Sequence, residues 1–202
     1  VVNIVLADMD GCRTLTTHPS IDKVSFTGSD AVGRQIMAQA SAGLKDVVLE
    51  LGGKSPNIIL PGTDLSSLVA PVHARYSRNA GQGCASPTRL LIHESQVDEF
   101  NERSRSIWSS MKVGDPWERD TLVGPLIRPE HRDRVEGFVT RAVDEGAEII
   151  AGGGRVECNG GWFYAPTLIG NVDSGAHVAQ EEIFGPIAVL LPYRDIDEAV
   201  RL

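Results

Sequence analysis

Lys23-Val24-Ser25-Phe26-Thr27-Gly28-Ser29-Asp30-Ala31-Val32-Gly33 is the stretch that decides the fold. An alternating, β-branched run stops at a glycine, a hydroxyl residue follows, and apolar side chains then recur at spacing four through Val32, Ile36 and Ala40. This order predicts a strand over residues 23–27, a turn at Gly28, and a helix opened by Ser29 and Asp30 and closed at Gly43. The N-terminus of a helix carries unpaired N–H groups and a positive dipole, and a glycine just before it lets an anion come close. Gly28 and Ser29 are therefore candidates for holding a phosphate. The run is not GxGxxG, and an ordinary capped helix has the same outline.

Outward from this unit, strand-like and helix-like stretches alternate, which is the pattern of an α/β fold with a largely parallel sheet. Upstream, residues 1–6 read as a strand, followed by a short helix before His18-Pro19. Downstream, residues 47–51 read as a buried strand, and residues 57–60, 89–93, 148–151, 162–168 and 187–191 as further extended segments. Leu65, Leu68, Val69, Val72 and Tyr76 share one helical face, with Pro71 among them predicting a kink or a later start. Helices are also expected at Val97 to Trp108, over residues 130–145 with Gly146 as the stop, and from Asp195 onward.

The 202 residues allow one large domain, or one and part of another, at about 150 residues per domain. With 42% hydrophobic residues the chain can build a real core. A net charge of −8 makes nucleic acid and anionic membrane surfaces poor partners, and no apolar run approaches the length of a spanning helix. Cys12, Cys84 and Cys158 are odd in number and widely spaced, and the histidines show no ligand spacing with them, so neither a disulfide frame nor a metal site is expected. The cysteine usage suits a reducing, cytoplasmic setting. Taken alone, each cysteine reads as a small buried hydrophobe.

Two further places carry chemistry. Glu50 ends the apolar run Val47-Val48-Leu49, where desolvation would favour general-base work, and Gly52-Gly53 leaves room beside it. An ion-paired or strand-end glutamate is the plainer alternative. In Asn79-Ala80-Gly81-Gln82-Gly83-Cys84 the glycines clear the approach to a cysteine at the start of a turn, whose own N–H can face a developing oxyanion.

Together these motifs resemble the aldehyde dehydrogenase family. The resemblance rests on Val24-Ser25-Phe26-Thr27-Gly28-Ser29, Leu49-Glu50-Leu51-Gly52-Gly53-Lys54-Ser55-Pro56, Gly81-Gln82-Gly83-Cys84, Val113-Gly114-Asp115-Pro116 with Gly124-Pro125-Leu126, Pro166-Thr167-Leu168 and Glu181-Glu182-Ile183-Phe184-Gly185-Pro186, in the family's order and spacing over essentially the whole chain. It implies a Rossmann-like parallel sheet, present in part, joined to an α/β catalytic domain: residues 1–50 as the end of the cofactor-binding domain and 51–202 as most of the catalytic one. It implies oxidation of an aldehyde to an acid, with Cys84 as nucleophile and Glu50 as the base that hydrolyses the thioester. NAD, with NADP as the alternative, would have its pyrophosphate near Gly28, Ser29 and the helix containing Gly33. Leu51 and Gly52 would lie beside the nicotinamide, Glu182 would hold its ribose, and Phe184 would pack near the ring.

The same resemblance implies that the chain is part of a longer homodimeric or homotetrameric enzyme. An asparagine that completes the oxyanion site and the adenosine-ribose grip are expected before Val1, and further catalytic-domain residues after Leu202. On that reading the 202 residues alone fold poorly and do not turn over. Alternatives are a non-catalytic remnant of the same fold or a thiol enzyme that uses Cys84 without a nicotinamide. The aldehyde itself is not written in the sequence; Arg89 is a candidate for a substrate carboxylate or for a structural role.

Overall fold

Helix α1 (Met9–Thr17) begins where the Asp8 carboxylate accepts the Gly11 N–H at 2.9 Å. Strand β1 (Lys23–Thr27), helix α2 (Asp30–Ser41) and strand β2 (Asp46–Glu50) follow, and the two strands pair in parallel from Lys23 opposite Asp46 to Thr27 opposite Glu50. Ser29 Oγ caps α2 by accepting the Val32 N–H, and the helix buries Gly33, Ile36 and Ala40. The structure, a computed structural model describing residues 1–158 and 160–202, divides here: these elements form a unit over Val1–Gly52, and Gly53–Leu202 form a second. The division falls two residues beyond the boundary expected at residue 50.

Two expectations for the first unit are corrected. Residues 1–6 form no strand among the described residues: nothing pairs with their backbone, and Val1, Ile4 and Leu6 stand exposed. Helix α2 does end at Gly43 as expected, with the Gly43 N–H given to the Ala40 carbonyl and Leu44 next in left-handed backbone at φ 50°. Strand β2 alternates between exposed and half-buried positions instead of being buried throughout, because a two-stranded sheet covers only one of its faces here.

The second unit opens with β3 (Pro56–Ile59), α3 (Leu65–Ser77), β4 (Arg89–His93) and α4 (Val97–Trp108). It continues through α5 (Pro129–Asp144), β5 (Glu148–Ala151), a small hairpin β6 (Arg155–Val156) and β7 (Phe163–Tyr164), then β8 (Thr167–Gly170), α6 (His177–Gln180), β9 (Ile187–Tyr193) and α7 (Ile196–Arg201). Five strands form one sheet in the order β3-β4-β9-β8-β5, parallel except at β5. Alternation sorts its side chains onto two faces. Leu90, Ile92, Leu190 and Leu168 pack with Val69, Val72 and Tyr76 of α3 and Phe100 of α4. On the opposite face Leu91, Val189, Leu191 and Ile169 pack with Val135, Phe138, Val139 and Ala142 of α5.

Pro71 neither delays nor ends α3, which runs from Leu65 through it. A proline inside a helix costs about 3 kcal/mol. Fully burying each of Leu65, Val69, Val72 and Tyr76 contributes roughly 1.5–3 kcal/mol, so tertiary packing outweighs the lost hydrogen bond. Pro71 itself sits on the exposed side of the helix.

Fully buried His73 joins the two helices on that face. Its Nε2 meets Ser104 Oγ at 2.9 Å and its Nδ1 meets the Tyr76 hydroxyl at 2.8 Å. Burial holds its pKa down to about 4, against 6.5 for a free histidine. The unfolded chain therefore takes up this proton at higher pH than the folded one. The contribution to stability is complete above about pH 6.5 and falls by about 3 kcal/mol as pH drops to about 4. Urea unfolding across this range is expected to show that loss, and His73→Gln, which keeps hydrogen-bonding capacity without titrating there, is expected to remove this part of the slope.

Candidate functional site

In the first unit, parallel pairing brings several candidates to one edge. Thr27 lies opposite Glu50, and the Gly28 N–H gives a 3.0 Å hydrogen bond to the Glu50 carbonyl. Gly28-Ser29 and Leu51-Gly52 thus leave the sheet at the carboxyl ends of β1 and β2, the edge at which open α/β sheets bind ligands. Gly28, Ser29, Asp30 and Ala31 are exposed, so the first turn of α2 is open to an anion. At Gly28 the Phe26 ring fills the space a side chain would take: a Cβ there would stand 2.5 Å from the ring tip. Gly33 is buried against Leu51, where a Cβ would meet the leucine side chain at 2.8 Å, so this glycine lets helix and strand end approach closely.

Glu50 is exposed, as is Val48 on the same face of β2. The burial expected of this carboxylate is therefore absent within the described residues, since the pleat turns it to the uncovered face.

In the second unit, motifs far apart in sequence meet around Cys84. A 3-10 turn over Arg78–Gly81 contains Asn79 and Ala80 in left-handed backbone, both at φ 52°, and Gly81 follows at φ +70°. Gly81 presses on the backbone of residues 185–186: a Cβ on it would stand 2.0 Å from the Gly185 carbonyl oxygen and 2.5 Å from the Pro186 nitrogen. Gln82 fastens the same loop to the Gly124-Pro125-Leu126 motif, its Oε1 accepting the Ile127 N–H at 3.0 Å and its Nε2 giving to the Pro125 carbonyl at 3.4 Å. Asn79 Nδ2 gives to the Gln82 carbonyl at 3.0 Å.

Cys84 follows at the start of a turn closed by the Ser86 N–H on the Gly83 carbonyl. Contrary to the reading of each cysteine as a buried hydrophobe, Cys84 and Cys12 are exposed and Cys158 is half-buried; all three are unpaired. A glycine next to a cysteine admits approach, and here Gly53 approaches from across the fold: a Cβ on it would lie 3.0 Å from the Cys84 carbonyl oxygen.

Glu182 lies in the same neighbourhood, and its Oε1 accepts the Gly53 N–H at 3.3 Å. Helix α5 grips the segment that carries it. Arg134 gives one hydrogen bond to the Glu182 carbonyl at 2.8 Å and another to the Ile183 carbonyl, and His131 Nε2 gives to the Phe184 carbonyl at 2.6 Å. Phe184 stands at φ 57° and is 40% exposed, on a strained backbone. Arg89 gives its Nε–H to the Lys54 carbonyl at 2.8 Å, a tie between β4 and the chain before β3. The sequence did not single out Asn79, Ala80, Gln82, His131 or Arg134 as positioning groups. Only the charged flank of the α5 stripe offered a signal.

Among the described residues no group of three or more potential metal ligands occurs, and no helix is long and apolar enough to cross a membrane.

The model of the aldehyde dehydrogenase family matches residues 1–202. A Staphylococcus haemolyticus protein whose aldehyde dehydrogenase name is provisional is 42% identical over 205 residues, covering 100% of this chain and 43% of that protein. DhaS of Bacillus subtilis, also provisionally named an aldehyde dehydrogenase, is 38% identical over 99% of this chain and 40% of its own length. The chain thus spans about two-fifths of the curated relatives it matches. Among solved structures, an aldehyde dehydrogenase C variant of Pseudomonas syringae with NAD+ and octanal is 37% identical with a TM-score of 0.89, covering 94% of this chain and 39% of that one. An apo betaine aldehyde dehydrogenase variant of Staphylococcus aureus, carrying a mercaptoethanol-modified cysteine, reaches a TM-score of 0.93 at 34% identity, over 98% of this chain and 40% of that one.

The packing of Gly81 on Gly185 separates two kinds of glycine. Gly81→Ala must move backbone and also occupy a left-handed conformation, and is expected to cost more than about 3 kcal/mol. Gly62→Ala shares the left-handed backbone at φ +77° but meets nothing within 4 Å. Its expected cost is only about 1 kcal/mol. Chemical denaturation of the two variants measures the difference.

Proposed function

The chain belongs to the aldehyde dehydrogenase family, and we propose that the whole protein carrying it oxidises an aldehyde to a carboxylic acid with NAD+, through Cys84 and Glu50. The observation that carries this reading is the exposed Cys84 beside Gly53, on a loop clasped against Gly185-Pro186, with the Glu182 carboxylate on the Gly53 amide. A reactive thiol needs access and a rigid surround, and both are present.

The Cys84 thiolate adds to the aldehyde carbonyl carbon, forming a C–S bond and moving the carbonyl π pair onto oxygen. The Cys84 N–H belongs to a turn and is available to that oxyanion. When bound, NAD+ supplies the acceptor for the hydride that leaves this carbon, two electrons passing with it as the thioester carbonyl re-forms. Glu50 takes a proton from water as its oxygen attacks the thioester; the C–S bond breaks and Cys84 leaves as thiolate.

The residues present fit the cofactor. The open first turn of α2 and the close approach allowed by Gly28 suit a pyrophosphate, with Ser29 capping the helix and Gly33 packing it down. Leu51 and Gly52, which leave the same strand edge, would lie beside the nicotinamide, Glu182 would accept from its ribose hydroxyls, and the exposed Phe184 would pack near the ring. Solved relatives holding NAD+ support NAD over NADP. Turnover is assigned to the whole protein, a homodimer or homotetramer of the cytoplasm, and not to these 202 residues by themselves.

With the whole protein, a panel of aldehydes and NAD+, absorbance is expected to report NADH, and Cys84→Ser to abolish it. An intact Cys84→Ser rate removes the nucleophile assignment. Glu50→Gln is expected to release a burst of about one NADH per site and then slow by about 10²–10⁴-fold, because acylation survives and deacylation fails. Unchanged steady turnover in Glu50→Gln assigns the base elsewhere.

A further inference from the structure

Gln82 takes no part in the bonds made and broken above, yet its carboxamide bridges three separate backbone groups. Its Oε1 accepts the Ile127 N–H at 3.0 Å, and its Nε2 gives to the Asn79 carbonyl at 3.0 Å and to the Pro125 carbonyl at 3.4 Å. A primary amide presents an acceptor and two donor hydrogens in one plane. A carboxylate of the same size has no hydrogen to give, and a thioether of the same length has no strong donor or acceptor.

The two segments joined in this way differ in how they are held. Asn79 belongs to the cysteine loop itself and returns a hydrogen bond from its Nδ2 to the Gln82 carbonyl at 3.0 Å. Pro125 and Ile127 flank Leu126, which is 2% exposed in the core it shares with Val135 and Phe138 of α5 and gives its N–H to the Trp162 carbonyl at 2.9 Å. The backbone of residues 125–127 is therefore a fixed reference outside the loop.

Between Gln82 and Cys84 stands Gly83. A Cβ there would meet only Ser86 Oγ, at 3.4 Å, so close packing does not hold this residue in place. A glycine clears the approach of an aldehyde, but it also leaves the chain free to rotate. Thiolate addition needs the reacting atoms about 3–3.5 Å apart and aligned, with an N–H aimed at the oxygen. The contact of Gly81 with residues 185–186 fixes where the loop lies, and a contact at one point leaves rotation about it. The bonds of Gln82 to residues 125–127 supply a second point.

We propose that Gln82 is a positioning residue for Cys84: by bonding the Asn79 carbonyl together with the Pro125 and Ile127 backbone, its carboxamide sets the direction in which the Cys84 thiol and N–H face the aldehyde. The proposal rests on the reading of Cys84 as the nucleophile.

Single-turnover formation of NADH tests this, with NAD+ saturating and the whole protein in excess over the aldehyde that it oxidises fastest. As protein concentration rises the rate constant reaches a plateau, which reports the chemical steps. The concentration at half-plateau reports binding and the fraction of protein that is folded. Gln82→Met is expected to lower the plateau by about 10²-fold, the scale of a misplacement of about 1 Å, and to leave the half-plateau concentration within about threefold. A merely structural glutamine gives the reverse pattern, an unchanged plateau with a raised half-plateau concentration, and that result overturns the proposal. Gln82→Glu keeps the acceptor for Ile127 and loses both donors; its plateau is expected to fall by at least about tenfold. An unsubstituted plateau in Gln82→Glu also overturns the proposal, and this variant decides if Gln82→Met does not fold. Cys84→Ser is expected to form no NADH. If it does form NADH at the unsubstituted rate, the nucleophile reading fails and the proposal with it. If Cys84→Ser is inactive while Gln82→Met keeps its plateau, the proposal alone is overturned.

Discussion

The second unit depends on one close backbone approach. Gly81, at φ +70°, lies against the carbonyl of Gly185 so tightly that no side chain fits between them, and Gly185 in turn lies against Val135 of α5. Two glycines remove the bulk that would otherwise hold the cysteine loop and the Glu182 segment apart. The left-handed backbone at Asn79 and Ala80 costs about 1–2 kcal/mol per residue. The bonds of Gln82 and Asn79, and the burial of Ala80, offset that cost. Strain here is local and is tied on several sides, as in sites that must hold a reactive group still.

The first unit works by a different constraint, the register of two parallel strands. Because Thr27 lies opposite Glu50, the turn that opens α2 and the turn that follows β2 are bound to leave the sheet at the same edge. Gly33 then lets the Leu51 side chain lie against the helix, and Gly28 leaves room for the Phe26 ring beside the turn. The exposed first turn of α2 and the Glu50 end of β2 are thereby neighbours through main-chain geometry alone, with no side-chain contact required between them.

Much of this was legible in the sequence. The bounds of β1, β4 and β5 follow from alternation and turn residues, and the stripes of α3 and α5 from helical spacing. The family motifs named Glu182 and Phe184, which periodicity alone would have left as an unremarkable loop. What escaped was of two kinds. Non-glycine residues in left-handed backbone, Leu44, Asn79, Ala80 and Phe184, carry no local signature, because long-range packing and not propensity puts them there. Groups that act on a distant backbone, such as His131 and Arg134 on the 182–184 carbonyls, look like solvated charges until the chain is folded. Pro71 and residues 1–6 failed in opposite directions: a helix survived its proline because its stripe is buried, and a strand-like run found no pairing partner.

In the proposed reaction Cys84 carries the acyl group. Mass spectrometry of the whole Glu50→Gln protein, quenched after exposure to an aldehyde and NAD+ and digested with trypsin, measures this directly. The expected result is the substrate's acyl mass on the peptide that contains Cys84, present only when both aldehyde and NAD+ are supplied. An acyl group carried on another residue, or a Cys84 peptide left unmodified while NADH is formed, would contradict it.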